Sequence, residues 1–128
     1  MDKVKQISYW INSAEEDLST ALLLISNNKI LHGLFFCHLC IEKTLKAHVV
    51  LSTEGIPPKI HNLYRLLEIC KLSFNDEDMK LLDYLMIYQL EGRYPDNYPD
   101  IPSRSTTQKL YEQTKELFLC LKEKLIEL

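Results

Sequence analysis

The sequence predicts an all-α protein, an up-and-down bundle of four to five helices. Three observations carry this. Apolar residues recur at steps of three and four along most of the chain, only three Gly and five Pro interrupt it, and no stretch alternates apolar and polar residues with the period of a strand. The 128 residues, 46% hydrophobic and 26% charged, have ordinary globular composition and form a single domain, residues 1–128.

A first helix is expected over residues 2–27, because Val4, Ile7, Ile11, Ala14, Leu18, Ala21 and Ile25 share one helical stripe that Trp10, Leu22 and Leu24 widen. Asn27-Asn28 interrupts it, and Asn28 is expected to cap a second helix from Lys29 to Ser52. The centre of that helix, Leu34 through Ile41, is apolar nearly all the way round, as suits a helix in the middle of a bundle. Gly55 supplies its stop, and Ile56-Pro57-Pro58 forms an extended connection. Ile60, Leu63, Leu67 and Cys70 mark a short third helix.

Asn75, followed by Asp76, Glu77 and Asp78, offers a cap and an acidic first turn to a fourth helix. Its apolar face runs through Met79, Leu82, Leu85, Met86 and Leu90 to a stop at Gly92. Residues 93–102 are irregular, with three Pro and a small echo, Tyr94-Pro95-Asp96 and Tyr98-Pro99-Asp100. Ser105 and Gln108 have capping-box spacing ahead of a last helix carrying Leu110, Leu117, Leu121, Leu125 and Leu128.

Charge and composition narrow the function. A net charge of −3 and a pI near 5.8 speak against a broad basic face for coating long nucleic acids, but not against a small pocket for a nucleotide. No apolar run approaches the ~18 residues of a membrane span. Residues 1–6 lack a secretory pattern, so a cytoplasmic location is expected, with Cys37, Cys40, Cys70 and Cys120 as thiols. Cys37-His38-Leu39-Cys40 lacks the second pair of ligands a zinc site needs, and its cysteines are expected to be core fillers. No metal or cofactor is expected, and neither a Gly-rich phosphate loop nor a nucleophile elbow is present.

Arg93 is the first candidate for ligand binding, because a planar guanidinium beside a Pro-restricted loop suits a phosphate or carboxylate; the same fork also suits Asp96 or Asp100. Asp96 can orient Arg93, bind a ribose hydroxyl or bond its own backbone. Tyr94 and Tyr98 are suited to stacking on a base or to covering the end of the bundle. Lys43 and Lys46 lie three apart on the second helix, where they can meet a phosphate or pair with a neighbouring helix. His61, near a helix start, suits a ligand donor or a packing role.

Four segments resemble the HEPN family in order and spacing. They are Ala14-Glu15-Glu16-Asp17-Leu18 with Ala21, then Phe36 through Ala47 with its EKxLKA pattern, then His61-Asn62-Leu63, then Arg93-Tyr94-Pro95-Asp96, which resembles the RYPD loop of a bacterial and archaeal branch. The resemblance implies a helical bundle, commonly a homodimer, often paired with a minimal nucleotidyltransferase in a two-component, toxin–antitoxin-like system. Many members are metal-independent ribonucleases that use Arg, four to six residues, then His; others serve as binding or interaction modules. Here the positions for that His after Arg93 hold Tyr98, Pro99 and Asp100, and after Arg104 they hold Lys109, Leu110 and Tyr111. No His follows Arg93 at all. Proton transfer near neutral pH is poorly served by Tyr, with an ordinary pKa of about 10. The expectation is therefore a nucleotide- or partner-binding module, with a ribonuclease using Arg93 and His61 or a purely structural dimerisation module as alternatives.

Overall fold

In a computed structural model, residues 2–53 and 55–126 are described. They form α1 (Lys3–Ser26), α2 (Ile30–Thr53), α3 (Leu63–Cys70), α4 (Asp76–Ile87), a 3-10 turn at Pro95–Asn97 and α5 (Arg104–Ile126), with no strand among the described residues. The all-α expectation holds. α2 packs against each of the other four helices, which explains why its sequence is apolar on nearly every side. The core gathers Leu34, Ile41 and Leu45 of α2 with Leu18 of α1, Leu63 and Leu66 of α3, Leu82 and Leu85 of α4, and Phe118 and Leu121 of α5. Two buried threonines on this interior bond back into their own helices, Thr44 to the Cys40 carbonyl and Thr114 to the Leu110 carbonyl, each at 2.7 Å. Neither hydroxyl is left unsatisfied.

The close approach of α1 and α2 depends on Gly33. A Cβ built there would stand 2.5 Å from Cγ1 of Ile25 and 3.2 Å from the Ala21 carbonyl oxygen. The first clash falls on a buried, branched side chain and the second on backbone, so neither yields cheaply. Gly33→Ala is expected to destabilise the fold by about 1–3 kcal/mol, measured by urea unfolding, despite the better helix propensity of Ala.

Several helix ends differ from the sequence expectation. Asn28 does not cap α2; it adopts the left-handed conformation, φ 62°, and closes α1. Asn28 N–H donates to the Ile25 carbonyl and Lys29 N–H to the Leu24 carbonyl, the paired bonds of a Schellman ending. α5 is capped by Ser103 rather than Ser105: Ser103 Oγ accepts from Thr106 N–H at 3.1 Å, so the helix starts as soon as Pro102 releases the backbone. α4 stops at Ile87, well before Gly92, although Leu90 beyond it is buried. α3 begins at Leu63 and leaves Ile60 outside. The Asn75 cap is as expected, accepting from Asp78 N–H at 2.8 Å ahead of three acidic residues. On α1 the stripe is buried from Ile11 to Ile25, whereas Val4 is 73% exposed and lines an open groove with Leu51 of α2 and Leu125 of α5. Leu128, expected on the α5 stripe, lies outside the described residues.

Candidate functional site

His38, Glu42 and Lys46 follow one another at four-residue steps on α2 and share a face. Glu42 is 3% exposed and gathers three partners. Lys46 Nζ donates to Oε2 at 3.1 Å, and Oε1 lies 3.3 Å from His38 Nε2 and 3.0 Å from His61 Nδ1. Burial by itself raises a carboxyl pKa; the contacts to His38, Lys46 and His61 outweigh it and hold Glu42 below the usual range. Glu42 is thus a buried carboxylate with donors on both oxygens. His38 donates from Nδ1 to the Leu85 carbonyl of α4 at 3.1 Å, and the Lys46 ammonium stands 5.4 Å from the centre of the Trp10 ring on α1. The network therefore ties α1 and α4 to the central helix.

His61 carries it to the surface. The segment after α2 delivers His61 beside Glu42, and Asn62 fixes the exit by capping α3, its side chain accepting from the amides of Tyr64 and Arg65. The other ring nitrogen, Nε2, lies 3.1 Å from Glu91 Oε2, with the His61 side chain 41% and the Glu91 side chain 57% exposed. Two carboxylates, one buried and one in solvent, grip the two sides of one imidazole.

Glu91 belongs to a β-turn closed by Arg93 N–H donating to the Leu90 carbonyl at 3.0 Å, with Gly92 at φ +81°, a conformation that favours glycine. Arg93 follows immediately. Its side chain is exposed and forms no hydrogen bond or ion pair among the described residues; neither Asp96 nor Asp100 takes its donors. Tyr94 next to it is 76% exposed. Asp96 sits in the exposed 3-10 turn, and its carboxylate bonds no backbone group among the described residues. Tyr98 turns inward, edge-on to His32 of α2 at 6.2 Å, and fastens the far end of the loop to the bundle.

The structure thus brings His61 to Glu91 of the turn that ends at Arg93, with Tyr94 and Asp96 following in the exposed loop. Lys43 points elsewhere: its ammonium is 2.8 Å from Asp17 Oδ2 and donates to Ser13 Oγ, both on α1. Cys37 and Cys40 are fully buried, and burial pushes the Cys37 thiol up to about 12, so it carries no thiolate at neutral pH. Sequence reasoning missed Glu42 as the hub, together with His38 and Glu91. The four-residue spacing of His38, Glu42 and Lys46 was the available signal.

The chain is thus an all-α bundle whose central helix holds a buried carboxylate, linked through His61 to the loop before the last helix. The family model described as the HEPN domain matches residues 7–125, and the chain belongs to the HEPN family. Two solved structures share the fold. One is TT1696 from Thermus thermophilus, with TM-score 0.75 and 19% identity over 93% of this chain and 98% of that one. The other is ST0689, an archaeal HEPN homologue, with TM-score 0.61 and 20% identity over 92% of this chain and 96% of that one. Among curated proteins no significant match is found. No described helix is long and apolar enough to cross a membrane.

Proposed function

We propose that this HEPN chain is a binding module that receives the phosphate of a nucleotide, or of a short RNA, at Arg93. One observation carries the reading: the Arg93 guanidinium is exposed and unpaired among the described residues, on a turn whose Glu91 stands beside His61 and, through it, the buried Glu42 network. A planar fork in that state offers two parallel donors to an anion with no internal bond to break first. The exposed Tyr94 ring lies next in the chain, where a base can stack, and Asp96 is available to a ribose hydroxyl. The family context favours a cytoplasmic homodimer that partners a minimal nucleotidyltransferase. Co-purification of the two proteins, and the mass of the isolated chain in solution, test those parts.

Calorimetric titration with nucleoside mono-, di- and triphosphates tests the site. Saturable binding is expected, weakened about 10- to 100-fold in Arg93→Ala, as loss of charge-assisted hydrogen bonds implies. Absence of heat with every nucleotide leaves only the protein-partner role. A second reading is a ribonuclease in which His61 supplies the proton-transfer group that the missing motif histidine supplies elsewhere in the family. It is favoured by the position of His61 against the Arg93 turn. RNA cleavage in the presence of chelator, lost in both Arg93→Ala and His61→Ala, would establish it over the binding reading.

A further inference from the structure

We propose that Glu91 is an internal stand-in for the ligand, its carboxylate holding on His61 the place that a phosphate monoester takes when it binds at Arg93. The inference rests on the reading of Arg93 as the anion receptor and specifies the chemistry and self-regulation of that site. The two carboxylates on His61 are not equivalent. Glu42 is buried and held also by Lys46, with His38 beside it, so it cannot leave without stranding charge in the interior. Glu91 is exposed, and its carboxylate has His61 as its one ionic partner among the described residues. An exposed ion pair of this kind contributes little and exchanges readily with water or another anion.

Glu91 and Arg93 are the second and fourth residues of one β-turn, so their Cα atoms lie within about 7 Å of each other. On this proposal the exposed Arg93 fork, so close along the backbone, carries a gripped anion to the edge of the His61 ring that Glu91 covers. A phosphate monoester suits the pair better than a carboxylate or a diester. It presents three peripheral oxygens, two for the guanidinium and one for the imidazole, and it carries nearly two negative charges near pH 7. Glu91 then swings to solvent on its own side of the turn. In the unliganded chain the same carboxylate keeps His61 engaged and places a like charge against any incoming phosphate, so the site is held partly closed by its own residue.

The test titrates AMP and, separately, adenosine into the wild type, Glu91→Ala, Glu91→Gln, Arg93→Ala and the Glu91→Ala/Arg93→Ala double variant, with circular dichroism on each to confirm folding. Removing the competing carboxylate is expected to tighten AMP binding at least about threefold, the scale of an exposed ion pair. Glu91→Gln should follow Glu91→Ala, the gain should vanish in the double variant, and adenosine should gain nothing. If both Glu91 variants bind AMP no more tightly than wild type while Arg93→Ala binds more weakly, the anion site stands and the stand-in role fails. An equal gain for adenosine also overturns it. If AMP binds to none of the variants, or binds Arg93→Ala as well as wild type, the underlying assignment of Arg93 fails and the stand-in role with it.

Discussion

Replacing Glu42 with Ala is expected to lower the unfolding free energy by about 3–5 kcal/mol, the cost of breaking a buried ion pair by removing one partner. The carboxylate is 3% exposed and is the common acceptor for Lys46 and His61, with His38 at its edge. Its loss strands the ammonium of the buried Lys46 beside the Trp10 ring, with no counter-charge. Exchanging both members of the pair, Glu42→Met with Lys46→Met, should recover much of the loss, because no unmatched charge then remains. The pH dependence carries the same signature. The folded-state pKa of Glu42 lies below its ordinary value near 4.5, so its contribution is fully present above that value and disappears as the pH falls through the folded one. His48 acts earlier. Burial lowers its pKa from 6.5, and as a neutral ring it donates from Nε2 to the Leu121 carbonyl at 2.9 Å, joining α2 to α5. Between 6.5 and its folded value the unfolded chain binds more protons, so stability starts to fall as the pH drops below about 6.5. Urea unfolding at a series of pH values should show both phases in the wild type and a flattened acidic phase in Glu42→Gln.

Phe118→Ala should be comparably damaging, at about 3–5 kcal/mol, because a fully buried ring leaves a cavity that the surrounding helices fill only in part. Phe118 is 1% exposed, belongs to the common core and has Lys122 one turn on with its ammonium 5.9 Å from the ring centre. The loss should appear as a lower urea midpoint with an unchanged slope, and Phe118→Leu should retain most of the stability. A shallow slope in Phe118→Ala would mean that α5 detaches on its own rather than unfolding with the bundle.

The helical bundle was legible because burial on α2 leaves a period-free apolar helix and burial on its neighbours leaves stripes, two patterns the sequence shows directly. Helix ends were less so. Asn28 suits an N-cap and a left-handed C-terminal residue alike, and only the bonds from Asn28 and Lys29 back into α1 decide between them. Ser103 and Ser105 both resemble caps, and the choice depends on where Pro102 lets the backbone turn. The site was half legible. Arg93, Tyr94, Asp96 and His61 were read from loop composition and motif resemblance. Glu42 escaped because a Glu next to a Lys on a helix looks solvated; its burial follows from His61, 19 residues later, folding back over it. Lys43, one position along, faces α1 and meets Asp17, a distinction set by helical phase and by what each face packs against.

The most direct test of the account is an NMR titration of the uniformly labelled chain with AMP. The largest shifts are expected in the amides of residues 90–94 and of His61, saturating together in the wild type and absent in Arg93→Ala. Shifts that instead cluster at the groove between α1 and α5, around Ile7 and Leu125, or that persist unchanged in Arg93→Ala, would contradict the assignment of this turn as the anion receptor.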